Sequence, residues 1–156
     1  MEARSHEESV VVAASPQRVY ELVSDVTRTG EFSPVCRACW WDEGDGPRVG
    51  AWFTGRNEVP GRTWETRSLV VVATPSEEFT WCVGGDLVRW GYRLRPVPGG
   101  TELTQTWDFL PAGLKLFSER YGADAPAQVA DRTATALSSM PLTLQALKAA
   151  LESTPT

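Results

Sequence analysis

The hydrophobic pattern of the first 34 residues predicts a strand followed by a helix. The β-branched segment Ser9–Ala13 is typical of a strand. A helix should begin at Ser15-Pro16, because Ser caps helix N-termini and Pro suits the first helical position. Apolar residues at steps of three and four give this helix one buried face: Val19, Leu22, Val23 and Val26. A short turn or second helix should follow over 28–33 and end at Pro34.

The pattern changes to period two between Val35 and Leu110, which predicts strands. Short separators rich in Gly, Pro, Asp and Ser divide this region, so we expect hairpins and an antiparallel meander. The six strand candidates are Cys36–Glu43, Gly50–Val59, Thr63–Thr74, Glu78–Gly84, Leu87–Arg95 and Thr101–Leu110.

Alternation within these strands assigns one face of each to the interior. The inward sets are Phe79, Trp81 and Val83; Val88, Trp90, Tyr92 and Leu94; Leu103, Gln105, Trp107 and Phe109; and Trp64, Thr66, Ser68, Val70 and Val72. The strand from Gly50 is ambiguous, because either Trp52 or Phe53 could point inward. The charged residues of the opposite faces should lie outside, where Glu65 could pair with Arg89 or Arg93. Asp108 also points outward by this parity.

The last region predicts a long helix with Asp124 as its N-cap. Its buried stripe comprises Val129, Thr133, Ala136, Leu137, Met140, Leu144, Leu147 and Leu151. Pro141 lies inside this helix and should kink it near Leu137. We expect residues 111–123 to form a loop, with a turn of helix around Leu114–Glu119.

The order of these elements predicts one α+β domain over residues 1–156, with frayed ends near 1–4 and 152–156. A seven-stranded curved antiparallel sheet would surround the long C-terminal helix. One amphipathic helix cannot fill the concave face of such a sheet, so a ligand cavity should remain between them.

Three segments resemble the START-like, or SRPBCC, helix-grip superfamily, within it the polyketide cyclase/dehydrase-like branch with the Bet v 1-like fold. They are Ala14–Asp25, Gly50–Asn57, and the hairpin from Trp90–Leu94 to Gly99–Thr104. The resemblance covers roughly residues 5–151 and implies the helix-grip fold. It implies no single function, because such folds host cyclases, lipid carriers, hormone receptors and co-chaperones. Phe32 takes the aromatic position where the family commonly has Pro-x-Trp, and no catalytic set carries over.

The composition argues against two classes of binding partner. The net charge is −5 with only two lysines, Lys115 and Lys148, which argues against nucleic acid and anionic membranes. The apolar stretches are too short to span a bilayer, and no targeting segment is visible, so we expect a cytoplasmic protein with reduced thiols. The oligomeric state stays open, a homodimer included.

The candidates for chemistry are few. His6 is the only histidine and lies near the terminus, so no triad base, metal site or cofactor is expected. Cys36 and Cys39 form a C-x-x-C, which could be a redox dithiol or half a zinc site. Two unrelated thiols are the stronger interpretation, because positions i and i+3 of a strand face opposite sides. Tyr92 is the best single candidate for acid–base work.

The predicted ligand-binding residues are mainly aromatic side chains that would form the cavity wall, together with a few polar groups. They are Phe53, Asn57, Trp64, Trp81, Trp90, Tyr92, Gln105, Trp107, Leu137 and Met140. The aromatic residues could equally form a plain hydrophobic core. Gln105 and Asn57 would either satisfy each other and the backbone or orient a ligand. Phe117 and Tyr121 are candidate lid aromatics.

Three functions fit these observations. The first is binding of a small apolar, aromatic or polyketide-like molecule. The second is a cofactor-independent cyclase or dehydratase acting on a poly-β-carbonyl substrate, which would need ionisable groups in the cavity. The third is an interaction module of the co-chaperone or regulatory kind, favoured if side chains fill the cavity.

Overall fold

The computed structural model describes residues 4–44 and 46–153. Its strands are β1 (Ser5–Val12), β2 (Cys36–Trp41), β3 (Trp52–Val59), β4 (Arg62–Thr74), β5 (Glu78–Val83), β6 (Val88–Val97) and β7 (Gly100–Phe109). Its α-helices are α1 (Pro16–Val23), α2 (Pro111–Tyr121) and α3 (Ala125–Ser153). Two 3-10 helices, Val26–Glu31 and Gly122–Asp124, follow α1 and α2.

The seven strands form one antiparallel sheet in the order β1-β7-β6-β5-β4-β3-β2. Strands β2 to β7 are the predicted meander, and β1 closes it by pairing with β7. This confirms the predicted α+β helix-grip architecture. The predicted helix start is also observed, since the Ser15 hydroxyl accepts a hydrogen bond from the Arg18 amide and Pro16 opens α1.

Strand β1 begins four residues earlier than predicted, at Ser5 instead of Ser9. The added residues are polar, so hydrophobic alternation gave no signal for them. His6 therefore lies in a paired strand opposite Trp107 and not in a frayed end. Its Nε2 is 2.8 Å from Glu8 Oε1, and His6 is not among the residues that line the main cavity.

A β-bulge in β4 corrects one predicted face. The pairing with β5 shifts between Val70 and Val72, so Val72 lies opposite Thr80 while Ala73 lies opposite Phe79. The inserted residue reverses the alternation from that point on. Ala73 therefore packs against the core in place of Val72, which was predicted to point inward.

The segment predicted as a loop over residues 111–123 is mostly the eleven-residue helix α2. Pro111 stands at its first position, where a missing N–H costs nothing. Gly122 and Asp124 bound a 3-10 turn that leads directly into α3. Asp124 precedes α3 as predicted, but its carboxylate accepts a hydrogen bond from the Gln128 side chain.

Helix α3 runs from Ala125 to Ser153 with Pro141 inside it, and no observation tests the expected kink. Leu144, Leu147 and Leu151 pack with α1, β1 and the inner face of the sheet. Met140 and Ala136 join a second cluster with Trp107 and Phe109.

Frayed ends were expected near residues 1–4 and 152–156. The residues of these ends that the structure describes include two that form hydrogen bonds with the rest of the domain. The Arg4 carbonyl accepts a hydrogen bond from the Phe109 amide, and Glu152 accepts one from the Ala13 amide. The rest of those ends, and Asp45 in the predicted turn before Pro47, fall outside the described residues. None of the described helices is both long and apolar enough to cross a bilayer.

Candidate functional site: a cavity between the sheet and two helices

A cavity of about 690 Å³ lies between the concave face of the sheet, α2 and α3. The helical wall comes from α2 and from the part of α3 up to Thr143, while the leucines beyond it fill the core instead. This volume falls within the range of small-molecule sites, about 300–1,000 Å³. The cavity is therefore open and is not filled by the aromatic side chains around it.

Aromatic side chains of adjacent strands form the sheet wall. Trp81 contacts Phe53, Phe79 and Tyr92 at ring-centroid distances of 6.0, 5.6 and 5.9 Å. Trp90 contacts Trp107 at 6.4 Å. Trp64, Trp81 and Trp90 are only half-buried, although they face inward, because they border the cavity.

The parity of β3 is resolved in favour of Phe53. Phe53 is 5% exposed and lines the cavity, whereas Trp52 lies on the outer face under the Arg67 guanidinium. Asn57 follows at the same parity and also lines the cavity.

Eight of the ten predicted ligand-binding residues line the cavity: Phe53, Asn57, Trp64, Trp81, Trp90, Tyr92, Gln105 and Trp107. Leu137 and Met140 do not. Leu137 is 37% exposed, and Met140 is fully buried in the cluster behind the wall. Ala136, Ser139 and Thr143 take their places, because the face of α3 over the cavity is rotated from the most hydrophobic stripe.

Gln105 is buried in this wall, and its Oε1 has no hydrogen-bond partner within the described chain. Asn57 differs, since its Nδ2 donates to Thr66 Oγ1 at 3.2 Å. One predicted alternative was that the two amides hydrogen-bond each other. The structure does not show this bond among the described residues. A buried acceptor without a partner costs about 1–3 kcal/mol, which a ligand donor could recover.

Arg62 is a cavity residue that the sequence analysis missed. Its guanidinium lies 4.3 Å from the Trp64 ring centroid, and one terminal nitrogen is 3.9 Å from Asp131. Its Nε is buried and has no hydrogen-bond partner among the described residues. Arg62 shares the parity of Trp64, so starting the strand one residue earlier would have found it.

Tyr92 is 4% exposed and lines the cavity. Burial raises the pKa of Tyr92 above its ordinary value, and the neighbouring Cys36 and Cys39 raise it further. The phenol is therefore neutral near pH 7 and can donate a proton to a hydrogen bond.

Helices α2 and α3 bring aromatic and basic groups to the cavity. Phe117 and Tyr121, the predicted lid residues, both line it and contact each other at a centroid distance of 5.2 Å. Arg120 and Arg132 line the same region, and the Arg132 guanidinium lies 5.6 Å from the Phe117 ring. The cavity thus has more ionisable groups than the sequence predicted.

Charged residues of the outer face form ion pairs, but not the predicted ones. Glu65 pairs with Arg56, while Arg89 pairs with Asp108 and Arg93 with Glu7. The register places Arg56 directly opposite Glu65 on β3, which explains the preference. Asp108 points away from the cavity, as its parity predicts.

The two thiols of the C-x-x-C lie side by side, contrary to the parity argument. A register shift between Cys36 and Ala38 interrupts the alternation of β2. The Cys36 and Cys39 sulfurs are 3.1 Å apart, and both residues line the cavity.

A curved antiparallel sheet that encloses a cavity against a C-terminal helix defines the helix-grip class. The family model described as polyketide cyclase / dehydrase and lipid transport matches residues 3–152, and the chain belongs to this family. A comparison with curated protein sequences finds no significant match.

Solved structures agree with this family. The chain is 47% identical to the polyketide cyclase-like protein Cgl2372 from Corynebacterium glutamicum, with a TM-score of 0.72 over 97% of this chain and 93% of that one. The di-domain ARO/CYC StfQ from the steffimycin biosynthetic pathway is 18% identical, with a TM-score of 0.72 over 97% of this chain and 51% of that one. Ara h 8.0201 is 15% identical, with a TM-score of 0.66 over 98% and 100%. The latter two likenesses show the fold alone.

Proposed function

We propose that this protein binds one small, mainly apolar molecule between the sheet and α3. The observation that carries the proposal is an open, aromatic-walled cavity lined by Gln105 and Arg62, each of which has one buried polar atom without a partner among the described residues. Burying about 200 Å² of a planar ligand against such walls would contribute about 5 kcal/mol before the costs of binding. An interaction module is not favoured, because the cavity is not filled by side chains.

The two unpaired atoms suggest the polar groups of the ligand. Gln105 Oε1 accepts a hydrogen bond, so it suits a hydroxyl or an N–H group. Arg62 Nε donates one, so it suits a carbonyl or carboxylate oxygen. A ligand that satisfies both atoms therefore carries at least one hydrogen-bond donor and one acceptor oxygen, a description that fits a hydroxylated aromatic polyketide.

Two adjacent serines of α3 allow a matched test. Ser139 lines the cavity, while Ser138 is exposed, and each hydroxyl donates to the carbonyl three residues earlier. The neutral fluorescent probe N-phenyl-1-naphthylamine should bind the wild-type protein saturably and quench its tryptophan fluorescence. Ser139→Trp should fill the cavity and weaken probe binding more than about tenfold, equivalent to 1.4 kcal/mol.

Ser138→Trp is the control, and it should leave the affinity within about twofold because its side chain points to solvent. Circular dichroism and the unfolding midpoint would show that both variants fold. Absence of saturable binding to the wild type, or equal affinities for both variants, would contradict the proposed site.

A cyclase is the second candidate, and the buried Arg62 Nε favours it. A guanidinium beside a substrate carbonyl stabilises the enolate formed when the adjacent carbon loses a proton to water. The neutral Tyr92 phenol could donate a hydrogen bond to a second carbonyl.

The cyclase candidate predicts that the protein alters the cyclised products of a synthetic poly-β-keto thioester. Mass spectrometry would identify these products. Arg62→Gln should then abolish that effect while it retains probe binding. Unchanged products with wild-type protein would leave binding as the function.

The cytoplasm remains our proposed location. It is the compartment in which three thiols without a disulfide framework are expected.

A further inference from the structure

Two thiols lie together in the cavity wall and have no part in the proposed binding function. The Cys36 and Cys39 sulfurs are 3.1 Å apart, which is within hydrogen-bonding contact for sulfur. The bulge in β2 turns both side chains to the same side of the strand. Disulfide formation would require the sulfurs to approach by only about 1 Å, to a bond length of about 2.0 Å.

The facing strand leaves room for this pair. Gly55 of β3 lies opposite Cys39 in the register. A Cβ atom at Gly55 would be 3.2 Å from the Cys39 sulfur and 3.4 Å from the Cys36 sulfur. Both sulfurs thus lie over a position without a side chain, and each residue is half-buried and borders the cavity. A small reagent that enters the cavity can reach them.

The surroundings make the two thiols unequal. Hydrogen bonding from Cys36 lowers the pKa of the Cys39 thiol, and the Thr29 side chain lowers it further, although burial acts in the opposite direction. The pKa of the Cys36 thiol is raised, first by this hydrogen bond and then by burial. Cys39 is therefore the thiol that ionises first and Cys36 the one that keeps its proton. This division of roles is typical of reactive C-x-x-C pairs.

We propose that Cys36 and Cys39 form a redox dithiol that a small disulfide oxidant, such as glutathione disulfide, converts into an intramolecular disulfide in the cavity wall. The Cys39 thiolate attacks one sulfur of the oxidant, forms a mixed disulfide and releases one thiolate, which takes up a proton. Cys36 then loses its proton and attacks the Cys39 sulfur, which forms the protein disulfide and releases the second thiol. The protein loses two electrons and two protons, and the oxidant becomes two thiols. This modification goes beyond ligand binding and does not require the ligand.

Cys82 provides a contrast within the same chain. It is 6% exposed on the outer side of β5, and burial raises the pKa of its thiol. It should therefore react at least about tenfold more slowly with the same oxidant than Cys39 does.

Trypsin offers a direct readout, because Arg37 lies between the two cysteines. The protein would be incubated with glutathione disulfide, blocked with iodoacetamide, denatured and digested without reductant. In reduced protein, cleavage after Arg37 separates the peptides 29–37 and 38–48. In oxidised protein the disulfide should hold these two peptides together, with a mass two hydrogens below their sum, and dithiothreitol should separate them.

Single serine substitutions identify the role of each thiol. Cys36→Ser removes the resolving thiol, so a stable glutathione adduct should accumulate on Cys39. Cys39→Ser should prevent the joined peptides from forming. Cys82→Ser is the control and should leave their yield and rate unchanged.

Competition for limiting iodoacetamide provides a test on the wild-type protein alone. Cys39 should be labelled first, at least about tenfold faster than Cys82. The proposal is overturned if glutathione disulfide yields separate adducts on Cys36 and Cys39 without joined peptides. It is equally overturned if neither thiol reacts, or if the joined peptides contain Cys82. Loss of probe binding in Ser139→Trp would not affect these results, so the two proposals can fail separately.

Discussion

Two amide side chains face the cavity in different hydrogen-bonding states. Asn57 donates to Thr66 on the neighbouring strand, whereas Gln105 Oε1 has no partner within the described chain. Both were predicted from alternation, but alternation says nothing about partners. Whether each amide is hydrogen-bonded depends on which side chain of the adjacent strand lies beside it. Only the register determines that side chain. These residues should respond in opposite directions to the same substitution.

We predict that Gln105→Leu stabilises the ligand-free protein. The substitution removes a buried acceptor that lacks a partner among the described residues, and it retains a side chain of similar size. The free energy of unfolding in urea should rise by about 1 kcal/mol. Asn57→Leu is the matched comparison, and it should lower that free energy by about 1 kcal/mol because Thr66 Oγ1 loses its donor. A loss of stability in Gln105→Leu would show that the Gln105 carbonyl has a partner in solution.

At the scale of elements, the strand boundaries and pairing could be predicted because turn residues and period two agree along the middle of the chain. The β-bulges could not, since one inserted residue leaves the local hydrophobic pattern unchanged. The bulge in β4 reversed the expected faces of Val72 and Ala73. The bulge in β2 brought together Cys36 and Cys39, which parity had separated. Alternation therefore predicts which face a side chain occupies only in parts of a strand that contain no β-bulge.

Only one turn of helix α2 was predicted, around Leu114–Glu119, because Pro111, Gly113 and Gly122 are typical of loops. Gly113 serves a packing role in this helix. A Cβ atom at this position would overlap the Leu87 carbonyl oxygen, which accepts the Leu110 amide at 3.0 Å. The glycine therefore lets the first turn of α2 approach the turn between β5 and β6.

We predict that Gly113→Ala displaces α2 from this turn. The clash is with backbone, so the free energy of unfolding in urea should fall by about 1–3 kcal/mol despite the better helix propensity of Ala. Affinity for N-phenyl-1-naphthylamine should fall as well, since Phe117 and Tyr121 move with the helix. Ser118→Ala on the exposed side of α2 should change stability by less than about 0.5 kcal/mol. Equal stability of both variants would contradict this role of Gly113.

At the scale of the molecule, the cavity occupies one end and a packed core the other. The C-terminal half of α3 is held at the core end, where Lys148 donates to the Val11 carbonyl at 2.6 Å and Arg18 to the Leu151 carbonyl at 3.3 Å. The N-terminal half of α3 covers the cavity instead. Pro141 lies between the halves and supplies no amide hydrogen for the helical ladder. We call the C-terminal half of α3, residues 142–153, the anchor, and the N-terminal half, residues 125–140, the roof. The roof therefore has less support than the anchor.

We predict that this asymmetry appears in amide hydrogen exchange. Amides of residues 129–139 should exchange at least about tenfold faster than those of 142–152, because fewer buried contacts oppose local opening. Saturating N-phenyl-1-naphthylamine should slow exchange in the first segment and leave the second unchanged. The bound probe restores contacts that the cavity lacks, and binding to the closed form adds to its stability.

The cavity-filled variant Ser139→Trp separates ligand binding from general stabilisation. Its indole occupies the cavity permanently, so exchange over residues 129–139 should already be slow without the probe and should not respond to it. Ser138→Trp should behave as the wild type. Uniform exchange along α3 would show that the roof is as firmly held as the anchor. Protection outside α2, the first half of α3 and the facing strands would place the probe elsewhere.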